Sequence, residues 1–173
     1  MPVTIPVLET QRLVLRGHRP EDFEAHSAMW VDPLVTRFIG GQPFPRDQAW
    51  VRFLRHAGMW QVMGFGFWAI EEQATGRLIG EAGFHELRRV IEPSIEGTLE
   101  TGWALRPEAH GKGFATEAVR ALLAWGMERF PGKRVTCLIE PDNFASLRVA
   151  AKTGFSEFAR TCFQGKPVIL LER

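Results

Sequence analysis

The stretch "RPEAHGKGFATEA", residues Arg106 to Ala118, lies between an apolar alternation, "TLETGWAL", and a run with helical spacing, "TEAVRALLAWGMERF". Alternation marks a strand and spacings of three and four mark a helix, so the stretch is a strand-to-helix junction. At its centre Gly111 and Gly113 flank Lys112. A helix N-terminus carries unpaired N–H groups and a partial positive charge, which together favour a phosphate. Glycines just before it let the main chain approach closely, because no Cβ intervenes. A Walker A loop is excluded, since Lys112 is followed by glycine where serine or threonine is required. A dinucleotide fingerprint would place Thr116 at its third small position, but too little chain follows Thr98 for the usual two-part domain. A plain tight turn and a loop for some other pyrophosphate both remain open.

Upstream, "RLVLRGH" (Arg12–His18) alternates as a first strand, and "RPED" opens a short helix that stops before Asp32 and Pro33. A second helix begins near Asp47, with Trp50, Phe53, Leu54, Ala57 and Trp60 spaced along one face. "GFGFWAIEE" and "LIGEAGFHEL" read as a hairpin around the turn "QATGR", followed by the irregular "RRVIEPSIEG". Downstream, Ala115, Val119, Leu122, Leu123 and Gly126 form the inner stripe of a helix, and "RVTCLIE" is a strand. Asn143 caps a further helix that Gly154 closes, and two last strands are joined through "QGK". The order β-α-α-β-β-β-α-β-α-β-β predicts an α/β (α+β) fold with one mixed sheet.

The 173 residues suit one domain, 1–173, and 45% apolar with 24% charged residues is an ordinary globular profile. A net charge of +1 provides no basic field for nucleic acid or an anionic membrane. "MPVTIPVLET" lacks the pattern of a signal peptide, and no apolar run is long enough to cross a bilayer, so a cytoplasmic location is expected. Cys137 and Cys162 have no metal-ligand spacing and are expected to be buried thiols. The chain contains no tyrosine.

Four segments together carry a resemblance: "LETQRLVLRGHRPEDFEAH", "GFWAIEEQATGRLIGEAGF", "LETGWALRPEAHGKGFATEA" and "PDNFASLRVAAKTGF". In them the sequence resembles the GNAT superfamily of acetyl-CoA-dependent N-acetyltransferases, most of all the branch of ribosomal-protein N-terminal alanine acetyltransferases. The family's Q/R-x-x-G-x-G/A loop falls on His110, Gly113 and Ala115, with histidine departing from the pattern at the first position.

The resemblance implies a splayed pair of parallel strands with acetyl-CoA in the cleft between them. Trp103 to Leu105 would offer main-chain partners to the pantetheine arm. His110, Gly111, Lys112, Gly113, Phe114, Ala115 and Thr116 would hold the pyrophosphate, and Asn143 would bond the pantetheine. Arg148 and Lys112 are candidates for the ribose phosphate. A strand N–H near Leu105 suits a developing oxyanion. Glu100 is the expected base, relaying a proton through water, with Glu81, Glu86 and His85 as lesser candidates. The tyrosine that many members use as acid falls at Ala150, which leaves Ser146 to meet the departing sulfur. No metal is implied.

The acceptor amine, a protein N-terminus or a small molecule, would enter between the early helices and residues 88–97. There Glu86, Glu92, Glu96 and Glu100 are interspersed with Arg88 and Arg89. Trp30, Trp50 and Trp60 are expected in the core or along that pocket. A catalytically silent acetyl-CoA-binding module is the alternative function. The final "CFQGKPVILLER" would form either an edge hairpin or the seam of a homodimer.

Overall fold

The computed structural model describes residues 3–173. Its sheet begins with β1 (Leu8–Glu9) and β2 (Leu13–Arg16), after which a single 3-10 turn leads into α1 (Phe23–Trp30). Next come α2 (Pro33–Thr36), α3 (Arg46–Met63), β3 (Phe67–Glu72), β4 (Arg77–His85) and β5 (Leu99–Leu105). The chain finishes with α4 (Phe114–Arg129), β6 (Val135–Ile139), α5 (Phe144–Lys152), β7 (Ser156–Phe163) and β8 (Lys166–Glu172). The eight strands form one mixed sheet in the order β1-β2-β3-β4-β5-β6-β8-β7. Every expected element is present. β1 and α2 are additional, and with two and four residues they are too short to show any periodicity. Asp32 caps α2 by accepting from the Leu34 N–H at 2.8 Å, with Pro33 at the first helical position.

All neighbouring strands pair antiparallel except β5 and β6. That parallel pair meets only at Leu99–Val135 and Glu100–Thr136, so from Thr101 onward the two strands separate. The resulting wedge is the splay that the resemblance implied.

One face of the sheet is covered by α4, whose Phe114, Ala118, Val119, Leu122, Leu123 and Gly126 are buried. Gly126 is a packing requirement, since a Cβ there would stand 2.7 Å from Cζ of Phe84. Each large apolar side chain buried in this layer contributes about 1.5–3 kcal/mol. The other face carries α1 and α3, with Met29, Trp30, Val35, Ala49 and Ala104 in a second cluster. The 88–97 segment is irregular as expected but not wholly solvated, for Ile91 and Ile95 pack with Val168 and Leu170.

Two expectations are corrected. The buried stripe of α3 is Ala49, Phe53, His56 and Trp60, whereas Trp50, Leu54 and Ala57 face outward. Trp50 is 41% exposed and lies against Phe53 and Phe23. Cys137 is buried, but Cys162 on the edge strand β7 is exposed.

Candidate active site

Two cavities open along the wedge and meet at Trp103, Asn143 and Ser146. The larger, about 530 Å³, runs along β5 to the start of α4 and the first turns of α5. Its lining includes Trp103, Leu105, His110, Gly111, Gly113, Phe114, Ala115, Thr116, Asn143, Ser146 and Arg148. Nearly all the residues expected to hold a cofactor are therefore brought together. Lys112 is the exception: its side chain is exposed and lines neither cavity.

The loop is shaped by its glycines. Gly111 and Gly113 have φ of 74° and 81°, in the left-handed region, and Gly113 is the N-cap of α4. His110 Nε2 lies 2.8 Å from the Leu105 carbonyl, which can only accept, so Nε2 carries the proton. The histidine that departs from the family pattern thus ties the loop back to its own strand. A second tie was invisible in the sequence. The Arg12 guanidinium donates to the Lys112 carbonyl at 2.9 Å, pairs with Glu117 at 2.6 Å and lies over the Phe114 ring.

At the start of α5, Asn143 Oδ1 accepts from the Ser146 N–H at 3.1 Å, which caps the helix. This bond holds the Asn143 side chain and the Ser146 main chain at the junction of the two cavities. Ala150, one turn later, is fully buried in the core and lines neither cavity.

The smaller cavity, about 280 Å³, lies on the other side of Trp103. Phe38, Ile39 and Gly40 close one side, Arg52, Phe67 and His85 form its floor, and Phe163 with Lys166 comes from the β7–β8 hairpin. Residues 38–40 and the hairpin were not anticipated. Trp30, Trp50 and Trp60 line neither cavity, although Arg52 stacks on the Trp30 ring at 3.8 Å.

Glu100 lies at this floor, buried and heavily engaged. Arg89 donates to it from Nε at 2.8 Å and from Nη2 at 2.8 Å. His85, its cross-strand partner, brings Nε2 to 2.9 Å, an ion-pair distance. Burial alone would raise the carboxyl, but His85 and Arg89 outweigh it and hold Glu100 at about 2. The His85 ring is itself stacked on Phe67, with centroids 5.2 Å apart.

The lesser candidates divide. Glu86 accepts from the Arg88 and Gly97 N–H groups and so braces its own loop. Glu81 is fully buried beneath the cavity, where Arg52, His18, His26 and His56 surround it. Burial pushes His56 down to about 4, so its ring is neutral near pH 7. Glu96 pairs with Arg88 at 2.9 Å. Of the four carboxylates near the entrance, Glu96 and Glu100 are therefore matched by arginines and Glu86 by main-chain N–H groups. A further hollow beside the cavity is bordered by Arg52, Arg55, Arg88 and Arg89, which makes that rim basic.

A model of the acetyltransferase (GNAT) domain matches residues 12–156, and the chain belongs to that family. The uncharacterized N-acetyltransferase YoaA of Bacillus subtilis (strain 168) is 32% identical over 153 residues, 88% of this chain and 84% of the relative. A Bordetella pertussis chain described as a GNAT-family acetyltransferase is 35% identical, with a TM-score of 0.86 over 97% of this chain and 99% of that one. The fold is also shared with spermidine N-acetyltransferase from Vibrio cholerae in complex with CoA and spermine, at 17% identity and a TM-score of 0.74, covering 95% and 96% of the two chains.

Proposed function

We propose that this chain transfers the acetyl group of acetyl-CoA to a primary amine by direct attack, with both substrates bound together. The observation that carries this reading is the pair of cavities meeting at Trp103, Asn143 and Ser146. One suits a long arm ending in a pyrophosphate, and the other suits a compact amine. The main-chain N–H groups from His110 to Thr116 hold the pyrophosphate against the α4 N-terminus. The main chain of Trp103 to Leu105 bonds the pantetheine, as does the Asn143 amide, and Arg148 meets the ribose phosphate. An N–H near Leu105 receives the developing oxyanion.

The attacking amine must lose a proton. Direct transfer to Glu100 would be steeply uphill, because an α-amino group has a pKa of about 8 and the carboxyl is held at about 2. Glu100 therefore works as the anion that orients His85 through Nε2, and the other ring nitrogen of His85 takes the proton directly or through water. Imidazole is the side chain best matched to proton exchange near neutral pH. Ser146 hydrogen-bonds the departing sulfur.

Around the acceptor cavity Arg52, Arg89 and Lys166 are paired with Glu81, Glu100 and Glu140, and the adjoining rim adds Arg88, paired with Glu96, and Arg55, which has no ion-pair partner among the described residues. A polyamine would meet like charge there. The acceptor is instead an amine on a neutral or anionic carrier, such as a peptide N-terminus followed by acidic residues. Free cysteines at 137 and 162 fit a reducing, cytoplasmic setting.

The test combines binding with turnover. Acetyl-CoA at about a hundred times its Kd should stabilise the chain by about 2.7 kcal/mol, raising the midpoint by roughly 5–10 °C, while NAD should not. Thiol release should follow with acidic peptides and not with spermidine, and initial-rate lines should intersect. Binding without turnover on a broad amine panel would establish the silent module instead. Parallel lines would indicate an acetylated enzyme in place of direct attack.

A further inference from the structure

Beneath the acceptor cavity, three histidines converge on one carboxylate oxygen. Glu81 of β4 is fully buried, and its Oε2 lies 3.4 Å from His18 Nε2, 3.0 Å from His26 Nε2 and 3.1 Å from His56 Nε2. The three rings surround a common point, with centroid separations of 4.8 Å (His18–His56), 5.9 Å (His26–His56) and 6.0 Å (His18–His26). Only His56 meets Glu81 with the alignment of a hydrogen bond; the Nε2 atoms of His18 and His26 stand at ion-pair distance from it, and their Nδ1 atoms lack a partner among the described residues. His26 is fully buried, and the His18 side chain is 5% exposed. Buried ring nitrogens without partners are costly, and here two such rings, beside His56, aim Nε2 at one carboxylate oxygen.

We infer that His18, His26, His56 and Glu81 form a structural binding site for a divalent transition metal, Zn²⁺ by preference. The separations fit that chemistry. With metal–ligand bonds of about 2.0–2.2 Å, the ligand atoms of a tetrahedral site stand about 3.3–3.5 Å apart, and two ring centroids on one ion roughly 5 Å apart. The donor atoms of His18, His56 and Glu81 lie within 4.8 Å of one another; His26 stands outside that group, with Nε2 3.0 Å from Glu81 Oε2, and would close on the ion as the fourth ligand. Imidazole and carboxylate donors suit Zn²⁺, and the hard cations Ca²⁺ and Mg²⁺ would require more oxygen ligands. Four protein ligands leave no open position, which marks the site as structural and not catalytic.

The ligands come from four separate places: the segment after β2, α1, α3 and β4. One ion would therefore rivet both helices of this face to the sheet directly behind Ala104, the cross-strand partner of Glu81 on the cofactor-facing strand. The other carboxylate oxygen of Glu81 lies 3.4 Å from Arg52 Nε. Arg52 also lines the acceptor cavity, so the ion would set the position of an acceptor-side residue through the outer coordination shell.

The experiment uses tag-free chain expressed in zinc-supplemented medium and purified without chelator. Elemental analysis should find roughly one zinc per folded chain. Removal by chelator should lower the unfolding midpoint, and zinc should restore it. Replacement by Co²⁺ should give the intense visible bands of a tetrahedral ion. His26→Gln and Glu81→Gln should each lose the metal and the chelator response. Should these variants not fold, the zinc content and cobalt spectrum of the unaltered chain still decide. Folded chain with far less than stoichiometric zinc and no response to added Zn²⁺ or Co²⁺ would overturn the inference. So would weak, octahedral cobalt bands, or zinc retained in full by the folded variants.

Discussion

On the cofactor side of Trp103 the longest stretch of wall comes from one run of chain, Trp103 to Thr116, joined by α5 and by residues 34–39. On the acceptor side the walls are assembled from residues 38–40, α3, β3, β4, Arg89, β5, β6, the start of α5 and the β7–β8 hairpin. The first region relies on main-chain groups shaped by two left-handed glycines. The second relies on charged side chains matched in pairs, Arg89 with Glu100 and Lys166 with Glu140. A loop made of backbone suits a ligand shared by a whole family, whereas a pocket made of side chains can be altered one residue at a time.

That contrast can be broken most forcefully at His85. Replacing it with alanine should lower kcat/KM for the acceptor by about 10²–10³, within the range for a proton-transfer group. The KM for acetyl-CoA should stay put. An unchanged kcat/KM would take the proton away from His85.

Next in size is the acid stability supplied by Glu100. Its folded pKa is depressed to about 2, so its contribution is present in full above pH ~4.5 and is lost as the pH falls towards 2. The shift is worth about 3 kcal/mol. Denaturant titrations between pH 6 and 2 should show this loss, and Glu100→Gln should flatten it. A wild-type curve with the same slope as the variant would mean that the pairing with Arg89 and His85 contributes nothing.

Gly113→Val probes the backbone side. A β-branched residue at φ 81° costs about 1–2 kcal/mol or more, so the KM for acetyl-CoA should rise at least about tenfold with the acceptor KM little changed. Lys112→Ala is the control and should move neither constant more than about twofold, as for an exposed charge. The smallest effect belongs to Ser146→Ala. A serine is a weak proton donor, and kcat should fall about tenfold. No change in kcat at saturating substrates would remove Ser146 from the mechanism.

The same division governs how much could be read in advance. The glycine loop, the cap at Asn143 and the wedge after Glu100 were legible because each is written within a few consecutive residues or in a shared motif. Arg12 was not, since it reaches the loop from about a hundred positions away. On α3, apolar spacing selected Trp50, Leu54 and Ala57 for the interior, but His56 and Arg52 turn inward to meet the buried Glu81. A pattern that counts only apolar residues has no means of anticipating a polar interior. The His85–Glu100 pair was within reach, because the hairpin register places the two residues opposite each other.

The fastening of Arg12 bears on how occupancy of the cleft would be felt elsewhere. Thr10 and the Arg12 N–H both bond Glu117 in the first turn of α4, and the Arg12 guanidinium holds the Lys112 carbonyl. A ligand that stiffens this loop must also quiet β1, at one edge of the sheet, and its neighbour β2. Slowed amide exchange at the beginning of the chain would then report a molecule seated against its middle.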